Sequence, residues 1–265
     1  MTEARLTRIF VSCDNSPLGV EALHAAAALA RRMDAELTGV YVEDANLLRM
    51  ASLPFAREVT LSGATPRPLD ENELKLALQR RANALRSALS EEARSLSVRW
   101  SFQVVRGTLL DSLLKEMSEP GLAVLGHAGQ YVVTSGGPAR RGEAQLAEAR
   151  RPLLVLYDGS APARRALAVA ADMARLHHAP LMIALDHQRE HDTAALRDRV
   201  EAELRDREVA FRFMAIPTRD ADAVKQAARL HHAAALFWPG VPGETTRKAL
   251  AILVDELTCP VLLVT

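Results

Sequence analysis

The chain has little of what marks several classes of protein. Its 265 residues include two cysteines and 4% aromatic residues, and 33 basic side chains balance 33 acidic ones. Without a net positive charge there is no field to attract a polyanion, so we expect no nucleic-acid and no membrane partner. The longest stretch without a charged residue, 120–139, contains five glycines and is not expected to form a spanning helix.

The few cysteines and the first residues both bear on location. Cys13 and Cys259 lie in or beside apolar strand patterns in different halves of the chain. We interpret them as buried free thiols in a reducing compartment, because two such positions do not make a disulfide framework. Residues 1–5 show no apolar region of a signal peptide. We therefore expect a cytoplasmic protein.

What the chain does contain is an internal repeat. In each copy a short apolar run ends at an aspartate, Asp14 or Asp158, and a serine and an Ala/Leu-rich helical pattern follow. Eight residues return 144 positions later: Asp14, Ser16, Ala22, Leu23, Ala26, Ala27, Ala30 and Arg31. The pattern predicts strand, turn and helix, the opening of a parallel α/β unit with its ligand crevice at the strand's carboxyl end. We predict two domains, residues 1–150 and 151–265.

Strands and helices alternate through both halves. The predicted first-half elements are strands at 8–13, 36–42, 98–105 and 122–125 and helices at 17–33, after Asp70 and from Thr108. The predicted second-half elements are strands at 153–157, 181–185, 209–216, 234–238 and 261–265 and helices at 162–176, 193–207, 220–230 and 244–257. Asp70 and Glu73 resemble a capping box.

Residues 45–71 have no counterpart in the second half, which is correspondingly shorter. Prolines and isolated apolar residues punctuate this segment too often for a regular element. We interpret it as a covering loop, with a functional lid as the alternative.

A glycine-rich turn follows the fourth strand of each half. The turns begin at Gly126 and Gly240 and end at Gly129 and Gly243. Such a turn between a parallel strand and a helix lets backbone amides approach a phosphate, and the helix N-terminus adds positive potential. Together with residues 11–17, 156–160 and 258–264, these turns resemble a tandem universal stress protein over nearly the whole chain.

The resemblance implies an α/β fold of two open parallel-sheet repeats, each Rossmann-like, adenine-nucleotide-binding and of strand order 3-2-1-4-5. It also implies that ATP or a related adenine nucleotide is the cofactor, and Val42 would contact it through its backbone. The implied site residues of the first half are Asp14, Ser16, Val42, Gly107, Gly126, Gly129 and Gly142. Those of the second half are Asp158, Gly240 and Gly243.

The chain departs from the family's glycine pattern in both halves. In the first half Ala139 stands where a glycine is expected, and Gly142 comes three residues late, before Glu143. A carboxylate at a helix N-terminus competes with phosphate for the same amides. The second half has no later glycine, and Pro217 stands near the place that Gly107 holds in the first half. We therefore expect nucleotide in the N-terminal half only.

The sequence suggests neither a catalytic set nor a metal site. His187 and His191 are spaced for one helix face, but a solvated polar turn explains them as well, since no cysteine lies nearby. No nucleophile with a base is evident beyond Asp14. We expect a regulatory or protective stress protein that is not an enzyme. The alternative is a weak ATPase or another nucleotide-dependent enzyme on the same fold.

The junction of the halves lacks one strand. Residues 151–157 match both the closing strand of the first half and the opening strand of the second, and the turn into Asp158 assigns them to the second. The first sheet then lacks its fifth strand or recruits residues 131–134. Its edge beside 122–125 would be exposed, and exposed edges tend to be paired. We expect the repeats to pair within the chain across this edge, or a homodimer to form through it.

Overall fold

The computed structural model describes residues 7–13, 17–43, 45–53, 55–58, 67–107, 111, 113–114, 117, 121–125, 151–186, 190–217, 220–240 and 243–265. The strands are β1 (Arg8–Ser12), β2 (Glu36–Glu43), β3 (Arg57–Glu58), β4 (Arg67–Pro68), β5 (Trp100–Arg106), β6 (Leu122–Leu125), β7 (Leu153–Tyr157), β8 (Leu181–Asp186), β9 (Phe211–Ile216), β10 (Ala235–Pro239) and β11 (Val261–Val264). The helices are α1 (Pro17–Met33), α2 (Ala45–Ala51), α3 (Glu71–Ser95), α4 (Ala161–His177), α5 (Glu190–Leu204), α6 (Ala221–Leu230) and α7 (Glu244–Glu256).

One nine-stranded sheet runs through both halves, in the order β5-β2-β1-β6-β11-β10-β7-β8-β9. Its neighbouring strands are parallel except for β6 and β11, which are antiparallel. The α/β class expected from the alternation of elements is confirmed. Two separate open sheets, however, are not what the described residues form, because β11 continues the sheet of one half into that of the other.

The central pairing settles the place of residues 153–157. As predicted, β7 belongs to the second half, where it pairs with β8 and β10. The edge of β6 is taken by β11, with Leu262 opposite Val124 and Leu263 opposite Ala123. Of the two expected outcomes, pairing within the chain is the one that the structure shows. A homodimer stays a prediction, and residues 131–134 lie outside the described part.

Helices cover both faces of the sheet because its strands are apolar on both sides. Buried side chains of α1, α3, α4 and α5 form one core, and those of α6 and α7 form the other. Strands β6 and β11 lie at the middle of the sheet, and every residue of both is buried. The seam between the halves is therefore as apolar as the interior of either half.

Two helix starts follow from capping side chains. Asp70 caps α3, as predicted, by accepting hydrogen bonds from the backbone N–H groups of Asn72 and Glu73 at 2.7 and 3.1 Å. Ser160 caps α4 by accepting one from the N–H of Ala163 at 3.2 Å. The corresponding Ser16, at the start of α1, lies outside the described residues.

The prediction that residues 45–71 hold no regular element is wrong. The segment contains α2, and β3 pairs with β4 in antiparallel fashion. Leu47 and Leu48 are half-buried, and α2 contacts α3. A short helix forms despite the nearby prolines because its apolar side chains have a neighbouring helix to pack against.

Three sequence expectations concern the burial of the cysteines, membrane spans and metal sites. Cys13 and Cys259 are both buried thiols, as expected. Within the described ranges, no helix combines the length and the apolar character needed to cross a bilayer. In the same ranges, no group of three or more His, Cys, Asp and Glu side chains could hold a metal ion. His187 and the side chain of His191 lie outside the description.

Candidate functional site

The strand order contains two points at which the chain changes direction across the sheet. Strand β1 lies between β2 and β6, and β7 lies between β8 and β10. In open α/β sheets such a switch point leaves a crevice outside the carboxyl ends of the two strands, where ligands bind. We call the crevice at β1 and β6 the first crevice and the one at β7 and β10 the second crevice.

The structure describes two of the predicted first-half site residues. Val42 and Gly107 lie close together at the ends of two adjacent strands. Val42 pairs with Val105, and the Gly107 N–H donates to the Glu43 carbonyl oxygen at 3.3 Å. The remaining predicted residues lie outside the described part: Asp14, Ser16, Gly126, Gly129 and Gly142.

Strand β2 extends beyond β1 at the first crevice. The last register pair of the two strands is Ser12 with Val40, and the Cys13 N–H donates to the Val40 carbonyl at 2.8 Å. Backbone groups alternate sides along a strand, so Val42 directs its N–H and C=O to the β1 side, as Val40 does. At Val42, however, β1 has already ended. A polar backbone edge therefore faces the first crevice.

An ion pair that sequence reasoning missed joins the ends of β2 and β5. The Arg106 Nε lies 3.1 Å from Glu43 Oε2, and the Glu43 side chain is 16% exposed. The two residues are register partners in adjacent strands. Opposite charges at paired strand positions are the signal that could have indicated the contact once the pairing was known.

Gly39 is a second residue that the sequence did not single out. A Cβ at this position would lie 2.5 Å from Leu89 Cδ2 and 3.0 Å from Cys13 Sγ. Only glycine lets α3 pack this closely on the middle of β2, and a glycine inside a strand pattern is the sequence signal of such an approach. Gly39 lies on the same strand as Val42, three residues before it.

At the second crevice, helix α5 covers the turn between β7 and α4. The Asp158 carboxylate accepts a hydrogen bond from the Ser160 N–H at 3.0 Å, which closes the turn. Gly159 has a φ of 80°, and a Cβ there would lie 2.6 Å from Leu196 Cδ2 and 3.5 Å from Arg199 Nη1. Helix α5 thus lies directly over this turn.

The turn after β10 is open instead. Gly240 donates its N–H to the Val264 carbonyl at 2.7 Å, and Gly243 begins α7 without a side-chain cap. A Cβ at either glycine would meet no atom within 4 Å. The two sides of the second crevice therefore differ, one covered by α5 and one facing open space.

A buried tyrosine lies just before the turn at Asp158. The Tyr157 hydroxyl donates to Glu203 Oε1 at 3.3 Å, and its side chain is 1% exposed. Burial, followed by the neighbouring Glu203 carboxylate, raises the pKa of Tyr157 to about 12. A phenol with so high a pKa remains a hydrogen-bond donor at neutral pH, and here it links β7 to α5.

No family model matches the sequence, and no curated protein matches it significantly. Solved structures do resemble it. A universal stress protein from Archaeoglobus fulgidus superposes with a TM-score of 0.58 at 11% identity, over 97% of this chain and 96% of that one. A second, the universal stress protein from the same organism in complex with dAMP, covers 44% of this chain and 99% of its own length at 18% identity and a TM-score of 0.38.

The whole-chain superposition agrees with the α/β architecture and its mostly parallel sheet. The resemblance that the glycine-rich turns and the repeat indicated is confirmed at the level of the fold. This chain has the fold of the universal stress proteins.

Proposed function

We propose that the chain is a cytoplasmic stress protein of regulatory or protective type that binds ATP or a related adenine nucleotide in its first crevice. The observation that carries the proposal is the backbone edge of Val42, which extends past the end of β1. An adenine ring presents a donor and an acceptor side by side, which the N–H and C=O of one residue can match. The phosphates would lie at the turn from Gly126 to Gly129, with Asp14 near the ribose.

Three differences between the crevices favour the N-terminal half. Strand β8 extends only one residue, Asp186, beyond its last register pair with β7, whereas β2 extends three residues beyond β1. Helix α5 covers the turn at Gly159. Pro217, after β9, has no N–H with which to bond, unlike Gly107 after β5. We regard the two halves as tandem repeats of which one has kept the ligand site.

A pair of matched substitutions tests the location. Gly129→Glu places a carboxylate in the proposed phosphate turn and should abolish ATP binding in calorimetric titration. Gly243→Glu adds the same charge to the equivalent turn of the second half, where a Cβ meets no atom within 4 Å and folding should be unaffected. We expect Gly243→Glu to bind ATP as the parent protein does. Equal losses from both substitutions, or no binding by the parent protein, would refute the proposal.

The proposal includes the absence of catalysis. Asp158, the second-half counterpart of Asp14, accepts a backbone hydrogen bond in its own turn, which is a structural role and not that of a general base. We expect phosphate release from ATP to remain at the background rate of the buffer. A turnover approaching about 1 per second, lost in Asp14→Ala, would instead support the ATPase alternative.

A further inference from the structure

The first half carries a projection that the second half lacks. Helix α3 has 25 residues, whereas the strands β2 and β5 on which it packs have 8 and 7. At 1.5 Å per helical residue and about 3.3 Å per strand residue, α3 is roughly 10 Å longer than either strand. Its buried side chains begin only at Leu78, and α2 packs against the same helix.

The end of α2 and the turn after it expose three large apolar side chains within six residues. Met50 is 54% exposed, Leu53 41% and Phe55 75%. Backbone hydrogen bonds from Leu53 N to Met50 O and from Ala56 N to Leu53 O, at 3.1 and 3.0 Å, hold the segment in successive turns. The apolar side chains are therefore displayed by an ordered backbone. We call Met50, Leu53 and Phe55 the Phe55 surface.

Two arginines flank this surface. Arg49 and Arg57 are exposed, and neither forms an ion pair within the described ranges. Nearby charges differ in this respect, because Arg67 pairs with Glu73 at 3.3 Å and Lys75 with Glu71 at 2.5 Å. Among the residues that the structure describes, the Phe55 surface thus combines exposed apolar area with two positive charges that form no ion pair.

This combination decides which occupant fits. A second copy of the chain docked symmetrically on the same surface would bring the two arginines of one copy close to the two of the other, which is unfavourable. Binding to a bilayer scales with the apolar area that enters it, and three apolar side chains provide little of this area. An apolar segment bordered by carboxylates matches both the apolar area and the charge, and Phe, Met and Arg are enriched at protein interfaces. We infer that the Phe55 surface docks an acidic amphipathic segment of a partner protein.

The test uses two synthetic helical peptides with one identical apolar face. The first carries glutamates beside that face and the second carries lysines at the same positions. Fluorescence anisotropy with the full chain should show binding of the acidic peptide that weakens as salt is raised, and at least tenfold weaker binding of the basic one. Phe55→Ser should weaken binding of the acidic peptide at least tenfold. Leu230→Ser is the matched control, because Leu230 is also 75% exposed but lies on α6.

Charge reversal gives the sharper result. The double variant Arg49→Glu/Arg57→Glu should lose the acidic peptide and gain the basic one, while the apolar contact is kept. The inference is overturned if the acidic peptide fails to bind, if both peptides bind equally, or if Leu230→Ser weakens binding as much as Phe55→Ser does. It is also overturned if Phe55 is needed instead for binding to vesicles of phosphatidylserine and phosphatidylcholine, or for self-association in analytical ultracentrifugation.

Discussion

A single methyl group added at Gly39 should destabilise the protein. In Gly39→Ala the new Cβ would lie 2.5 Å from Leu89 Cδ2, 3.0 Å from Cys13 Sγ and 3.2 Å from Phe102 Cδ2. Carbon atoms in contact are normally about 3.5–4.0 Å apart, so all three neighbours are too close. Leu89 is 0% exposed and cannot turn away into solvent. Helix α3 would have to move away from β2.

The expected loss is the difference of two opposing effects. Overfilling a packed core costs about 1–3 kcal/mol. Replacing glycine by alanine also restricts the unfolded chain, which stabilises the folded state by about 0.4–1 kcal/mol. We therefore expect the free energy of unfolding to fall by about 1–2 kcal/mol. At a urea dependence of roughly 2 kcal/mol per molar, the unfolding midpoint should shift down by about 0.5–1 M.

The control is Gly243→Ser, which also adds a Cβ, at a position where nothing lies within 4 Å. Its hydroxyl can cap α7, so we expect a neutral or slightly stabilising effect. A double variant with Leu89→Ala removes the clashing methyl group. The double variant should lose less free energy of unfolding than the two single variants lose together, by about 0.5–3 kcal/mol, which is the usual coupling of residues in contact. Additive losses, or an unchanged midpoint in Gly39→Ala, would refute the packing argument.

Two further predictions concern the seam and the buried tyrosine. Buried Thr265 Oγ1 accepts a hydrogen bond from the Gly121 N–H at 3.0 Å. Thr265→Val should leave that donor unpaired and lower the free energy of unfolding in urea by about 1–3 kcal/mol. An unchanged unfolding midpoint would contradict the contact. Because the pKa of Tyr157 is raised from 10.0 to about 12, its stabilising effect is complete below pH 10 and is lost as pH rises towards 12. Tyr157→Phe should therefore lose less stability than the parent between pH 9 and 11.5, and a parallel decline would contradict the shift.

The elements that could be predicted are those whose signals are local. The helix after Asp70 begins where its capping residue indicates, and the strand at 153–157 lies in the second half because a turn into Asp158 follows it. The prediction for 45–71 is wrong because α2 depends on packing against α3, which no pattern within the segment shows. Local sequence describes the propensity of a segment and not the neighbour that stabilises it.

The candidate site follows the same division. The resemblance indicated Val42, but the edge it presents depends on where β1 stops relative to β2, a difference of a few residues that periodicity does not resolve. The ion pair of Glu43 and Arg106 and the close approach of Gly39 to Leu89 join residues that are 50 or more positions apart in the chain. Each contact requires the strand register, which the sequence alone left open.

The single antiparallel pair has a consequence for the two crevices. Because β6 and β11 run in opposite directions, the carboxyl ends of β1 and β6 lie at one edge of the sheet and those of β7 and β10 at the other. The second crevice is therefore bordered by the amino-terminal edge of the first half. There the Gly121 N–H, just before β6, donates to Thr265 Oγ1, just after β11, at 3.0 Å. A ligand in the first crevice cannot share contacts with one in the second, and the first crevice is bordered by the amino-terminal edge of the second half in the same way. Each half thus meets the amino-terminal edge of the other, so the antiparallel pair separates the two crevices without favouring either of them.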